Sequence, residues 1–145
     1  MNITIERADL HNLDQIVPLF DGYRQFYGQP SDMDQARTFI SRHLENGTSV
    51  IFLAFIGEQP CGMTQLYGSY TSIRMARIWK LNDLFVSVAA RGYGVGTALL
   101  KRVQQFGEQT HAARVDLSTD VNNFTAQHLY EKFGFEKTTQ SRRDG

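Results

Sequence analysis

Hydrophobic and polar positions change period several times along the chain, and each change marks a new element. Residues 3–6, ITIE, alternate and predict a short strand. Leu13, Ile16, Val17, Phe20, Tyr23 and Tyr27 then recur at helical spacing. Asn12 or Asp9 is placed to cap that helix, and Pro18 either kinks it or marks its true start. After the break QPSD, residues 33–47 predict a second helix closed by Gly47. TSVIFLAFIG, the turn EQP and CGMTQLYGSY together predict a β-hairpin. Residues 76–88, ARIWKLNDLFVSV, predict a long fourth strand in which Leu84, Val86 and Val88 alternate. Beyond a glycine-rich turn, a helix is predicted from Thr97 to about Thr110, with Leu99, Val103 and Phe106 on one face. ARVDLST then predicts a strand, NFTAQHLYEKFG a helix stopped by Gly134, and FEKTTQ a short last strand.

The order βααβββαβαβ predicts one α/β domain over residues 1–145. Antiparallel hairpin strands come first and strand–helix–strand units follow, so the sheet is mixed, mostly antiparallel, with helices on both faces. A chain of 145 residues is long enough for one real core. Lys plus Arg equals Asp plus Glu at 15 each, which argues against a dedicated nucleic-acid binder. The polar start MNITIERADL lacks the apolar core of a signal peptide, and SVIFLAFIG is too short to span a bilayer. The simplest compartment is the cytoplasm. Cys61, a single cysteine, makes no internal disulfide and reads as a small apolar filler. His11, His43, His111 and His128 have no metal-ligand spacing, so no metal is expected.

The sharpest chemical signal is VSVAARGYGVGTALLKRV, residues 86–103. Gly92, Gly94 and Gly96 leave backbone bare between a strand and a helix. Such a turn exposes N–H groups at a helix N-terminus, a device suited to phosphates. A P-loop would need Lys after its last glycine, and Gly96 is followed by Thr97 and Ala98. A G-x-G-x-x-G fingerprint would need glycine at Thr97 or Leu99. The spacing that fits is R-x-x-G-x-G, from Arg91 to Gly96.

With that hexapeptide, the strand LNDLFVSV directly before it, and NFTAQHLYEKFGF (123–135) matching N-x-x-A-x-x-L-Y-x-x-x-G-F, the chain resembles the GNAT family of acetyl-CoA-dependent N-acetyltransferases. FYGQPSD, SVIFLA and LNDLFV look most like the branch related to histone and polyamine acetyltransferases. The resemblance implies acetyl transfer from acetyl-CoA to a primary amine by direct attack in a ternary complex. It implies that backbone N–H groups of Arg91, Gly92, Tyr93, Gly94, Val95, Gly96 and Thr97 hold the pyrophosphate. The strand end, Phe85, Val86, Ser87 and Val88, is implied to pair with the pantetheine arm, an N–H near Val86 polarising the thioester carbonyl. Tyr130 is implied to protonate the departing thiolate, and Asn123 to contact the CoA arm as well as cap its helix.

The general base is less determined. An alkylammonium must lose a proton before attack. Asp83 on strand four could accept it through water, and Asp116 on strand five is another candidate; either could equally be a structural polar residue. Tyr23, Tyr27, Tyr67 and Tyr70, with Asp83, are candidates to line a cleft for a cationic acceptor. The acceptor itself, a small-molecule amine or a protein amine, is not legible. The family commonly has one more apolar strand at the end, where this chain has SRRDG. An open edge there would suit a homodimer. The rival from another class is a CoA-binding regulatory or partner-binding module of the same fold without turnover.

Overall fold

The computed structural model describes residues 2–118 and 136–138. The elements in chain order are β1 (Ile3–Arg7), α1 (Leu13–Phe26), α2 (Met33–Asn46), β2 (Ser49–Ile56), β3 (Gln59–Thr71), β4 (Ala76–Val86), α3 (Val95–Gln109), β5 (Arg114–Ser118) and β6 (Glu136–Thr138). They build one sheet ordered β1-β2-β3-β4-β5-β6. Its first four strands are antiparallel neighbours, and β5 lies parallel to both β4 and β6. The mixed sheet expected from the sequence is present. The helix expected over NFTAQHLYEKFG lies outside the described residues.

Alternation along β2 builds two cores. Val50, Phe52 and Ala54 face the layer with α3, where they join Leu99, Leu100 and Val103. Ile51, Leu53 and Phe55 face α1 and α2, against Ile16, Val17, Phe20 and Ile40. Each fully buried side chain of this kind contributes about 1.5–3 kcal/mol.

Local chemistry sets several boundaries. Asp9 caps a short 3-10 turn, Leu10–Asn12, which runs into α1, while Asn12 makes no side-chain cap bond. Pro18 lies inside α1 and does not start it. The β2–β3 turn falls at Gly57, whose φ is +62°, so Gln59 and Pro60 belong to β3 instead of a turn. Val88 leaves the strand for a second 3-10 turn, Val88–Ala90. Gly62 was not singled out by any motif, yet a Cβ there would sit 2.9 Å from Val95 Cγ1 and 3.1 Å from the Phe85 carbonyl. That close approach seats the first turn of α3 on the sheet.

The pairing of β3 with β4 contains an irregularity. Gln65 lies opposite Asp83 and Leu66 opposite Leu81, leaving Asn82 as an extra residue. Trp79 and Leu81 pack on the α3 side before it, and Leu84 and Val86 pack there after it. The bulge therefore shifts the alternation by one, and Asp83 and Phe85 turn towards α1 and α2.

Candidate functional site

Asp83 is the centre of the first half of the site. It is only 4% exposed and is surrounded by donors. Gln65 Nε2 donates to its Oδ2 at 2.6 Å, and Asn82 Nδ2 to its Oδ1 at 3.0 Å. Tyr23 reaches it from α1, hydrogen-bonding the carboxylate and donating to the Asn82 carbonyl at 3.3 Å. Burial pushes the Asp83 carboxyl above the ordinary carboxylate range. The hydrogen bonds from Gln65, Tyr23 and Asn82 and the nearby His43 act the other way. Among the described residues, the ion pairs are His11–Asp9, Arg37–Asp14 and Arg114–Asp116, so Asp83 has no Lys or Arg partner.

Aromatic rings border this carboxylate. Tyr23 and Tyr27 meet edge-on with centroids 5.2 Å apart. Phe20 stacks on Tyr23 at 6.3 Å and on Phe39 at 5.6 Å. Phe39 and His43, one turn apart on α2, are 4.6 Å apart, and His43 lies 5.1 Å from Tyr67 of β3. Thr48 fixes the His43 ring, its hydroxyl lying 2.7 Å from Nδ1. Burial, and secondly the Asp83 charge, push the Tyr67 hydroxyl well above its ordinary value, so it remains a donor. The structure thus brings Tyr23, Tyr27, Tyr67 and Asp83 together. Tyr70 lies apart, 69% exposed near the β3–β4 turn, with the Arg77 guanidinium 4.6 Å from its ring centroid. Asp116 is buried on β5 and bound at 2.7 Å by Arg114 Nε.

The second half lies at the end of β4. β5 pairs with β4 only from Ile78 to Leu81. Among the described residues, no strand continues that pairing along residues 82–86. Ser87 N–H donates to the Cys61 carbonyl of β3 at 2.9 Å, and the Asp83 carbonyl accepts from Thr64 of β3 at 2.7 Å. Alternation then turns the backbone groups of Leu84 and Val86 to the other edge, away from β3. There Arg91 Nε donates to the Val86 carbonyl at 3.0 Å, its guanidinium 5.6 Å from the Phe85 centroid and 5.7 Å from that of Phe26.

The glycine loop follows directly. Gly92 and Gly94 both have φ of +88°, which only glycine adopts without strain, and a Cβ at either would meet nothing within 4 Å. Gly94 is the N-cap of α3 and has no side-chain cap bond; the first helical bond recorded across it is Ala98 N–H to the Gly94 carbonyl at 3.0 Å. The N–H groups of Val95, Gly96 and Thr97 therefore have no intrahelical acceptor and mark the positive end of the helix dipole. The helix begins at Val95, two residues before the position expected from the sequence.

The sequence profile of the acetyltransferase (GNAT) family matches residues 13–135. This chain belongs to that family. It is 40% identical over 137 residues to the uncharacterized N-acetyltransferase YhfO of Bacillus subtilis (strain 168), covering 94% of this chain and 92% of YhfO. The crystal structure of a protein described as a probable acetyltransferase superposes with a TM-score of 0.86 at 40% identity, over 95% of this chain and 91% of the other. An aminoglycoside N-acetyltransferase in complex with CoA shares the fold, with a TM-score of 0.79 at 19% identity over 94% and 90% of the two chains.

For a GNAT chain the loop and strand end fit a coenzyme A arm. The loop offers backbone donors and open space, and among the described residues the strand offers an edge without a neighbouring strand beyond Leu81. Asn123 and Tyr130 lie outside the described residues. Val88 is 75% exposed and Tyr93 54% exposed, both beside the loop. Cys61 is packed into the core on the α3 side, and burial pushes its thiol up, which suits an inert filler. The motifs missed Gln65, Phe39 and His43. The available signals were Gln65 sharing strand parity with Tyr67 inside a buried run, and the one-turn spacing of Phe39 and His43.

Proposed function

We propose that this chain transfers the acetyl group of acetyl-CoA to a primary amine by direct attack within a ternary complex. One observation carries the proposal: among the described residues, β4 has no β5 partner beyond Leu81, immediately before a positive-φ glycine loop that opens α3. That juxtaposition supports a ligand arm lying along the strand with its anionic group at the helix N-terminus.

Acetyl-CoA supplies the activated acyl group as a thioester. Residues Gly92 to Thr97 bind the pyrophosphate through their N–H groups; the Arg91 N–H, expected to join them, donates instead to the Val88 carbonyl at 3.3 Å. Phe85 to Val88 orient the arm. Val86 N–H polarises the carbonyl, an oxyanion role for which one donor is worth about 2.7–4 kcal/mol elsewhere. Tyr130 gives its phenolic proton to the sulfur; a free phenol titrates at about 10 and so carries that proton at neutral pH. Asn123 contacts the CoA arm.

Asp83 and the rings of Tyr23, Tyr27 and Tyr67 draw a cationic acceptor to the α1–α2 side of β4. A further role for Asp83 as base requires water. It is three residues before Val86, or about 10 Å along a strand, so a proton from the attacking amine reaches it only through a relay. A cytoplasmic location and a homodimer belong to the same proposal.

The test is thiol release from acetyl-CoA by the purified protein, with and without a panel of amines and lysine peptides. Amine-dependent release is expected. CoA binding without release to any acceptor would favour a binding module, and absence of both would overturn the assignment of the loop.

A further inference from the structure

Among the described residues, the edge of β4 beyond Leu81 has no strand beside it, yet it is not bare. Val86 turns its carbonyl away from β3, and Arg91 Nε donates to it at 3.0 Å. A donor at that distance from the edge of a strand stands where the amide nitrogen of a neighbouring strand would stand. A ligand arm that pairs with Val86 as a strand would needs the same place. A carbonyl has two lone pairs, but the planar guanidinium attached to Nε lies in the lane as well. Two aromatic rings hold it there, Phe85 at 5.6 Å and Phe26 at 5.7 Å from ring centroid to guanidinium carbon. The arginine that opens the glycine motif is therefore set against the arm.

Charge supplies the second observation. The ion pairs among the described residues are His11–Asp9, Arg37–Asp14 and Arg114–Asp116, and none of them involves Arg91. Arg91 is joined directly to Gly92, the first of the loop residues whose N–H groups face an anion in the acetyl-transfer reading. An anion on that loop lies within reach of the arginine side chain. We propose that Arg91 sets donor specificity: its guanidinium holds the Val86 carbonyl against a phosphate-free thioester and releases it to a phosphate-bearing one. This rests on the acetyl-transfer reading for the place of the arm and of the phosphate. With phosphate present, the exchange is balanced. An arm N–H takes over the Val86 carbonyl, and the displaced cation pairs with the anion at the loop. Without phosphate, the arm breaks a charge-assisted bond and the guanidinium gains no anion in return.

The experiment is calorimetry of pantetheine, 4′-phosphopantetheine and coenzyme A against the wild type and the Arg91→Ala variant. Arg91 is exposed, so the variant is expected to fold, with thermal unfolding as the check. Pantetheine should bind the variant about 10-fold tighter, and the two phosphate-bearing ligands about 10-fold weaker, the size of one exposed charge-assisted hydrogen bond in each direction. The wild-type preference for 4′-phosphopantetheine over pantetheine should thus shrink by about 100-fold. Arg91→Lys keeps the charge and should return the affinity for the phosphate-bearing ligands towards that of wild type.

Pantetheine affinity that is unchanged or lower in Arg91→Ala overturns the proposal, since nothing then competed for the Val86 carbonyl. Equal tightening of all three ligands overturns it too, because Arg91 would then compete without selecting. A lysine that restores nothing would place the effect in packing instead of charge and remove the exchange. These outcomes, with coenzyme A still bound by the wild type, leave the acetyl-transfer reading standing. If the wild type binds neither coenzyme A nor 4′-phosphopantetheine, the reading of the loop falls and the specificity role falls with it.

Discussion

The two halves of the site are made of different material. In the proposed reading the cofactor half is nearly contiguous: apart from Asn123 and Tyr130, residues 85–97 supply it almost entirely through backbone groups, with φ of +88° at Gly92 and Gly94. The proposed acceptor half is scattered. Its side chains come from α1, α2, β3 and β4, and Gln65 and Asp83 are 18 residues apart. A backbone site depends on conformation and tolerates many side chains. A side-chain site depends on identity, and one exchange changes what it accepts. The fold can therefore keep one donor while acceptors diverge.

The contrast can be broken most severely in the backbone half. Gly94→Val forces a β-branched residue to φ of +88° and fills the space before the loop, so CoA affinity should fall by about 100-fold or more in calorimetry. Retained affinity would mean that side chains, not backbone, hold the cofactor. Next, Tyr130→Phe should lower kcat by about 100-fold, the smaller end of general-acid effects, while weakening CoA binding much less. Equal turnover would remove the acid role.

Asp83→Asn probes the other half. It should lower kcat/KM for the amine by about 10-fold or more through the lost charge. It should also stabilise the unliganded protein. Burial raises the folded-state pKa of Asp83 above its ordinary value of 3.8, so the native state binds the proton more tightly than the unfolded chain. Stability from this group is then greatest below that value and falls as pH rises through the folded pKa. The variant should melt higher than wild type at pH 7.5, by about 2–4 °C for each kcal/mol relieved, and the gain should fade as pH drops towards 4. A lower melting temperature at pH 7.5 would show that Asp83 acts mainly as a structural acceptor. Smallest and least local is Gly62→Ala. Its Cβ would crowd Val95 and the Phe85 carbonyl, costing about 1–3 kcal/mol by thermal unfolding. CoA affinity should weaken with it if α3 sets the loop.

The difference between the halves also explains what could be read without coordinates. Glycines that need positive φ leave a spacing in the sequence, so the loop was legible from Arg91 to Gly96. Period changes located the helices and the hairpin, since burial dictates them. Gln65 left no motif because its meaning lies in a partner on the next strand. The sequence expectation extended the alternation of Leu84 and Val86 to Val88, but Val88 belongs to a 3-10 turn. Tyr67 and Tyr70 looked equivalent as residue types. They are three apart on one strand, an odd number that sends them to opposite faces, and that parity was available in the sequence. Asp83 was singled out as a candidate base and cleft residue, but its burial depends on the extra residue beside it, which no local propensity announces.

The extra residue, Asn82, makes the length of β4 a stricter requirement than its composition. Most positions along the strand admit several substitutes, but deleting one residue at the bulge would turn over everything downstream. Leu84 and Val86 would then face the acceptor, and Asp83 and Phe85 the α3 core. A lineage exploring new acceptors can exchange side chains around this cleft one at a time, whereas a single-codon deletion in this strand would dismantle both halves at once.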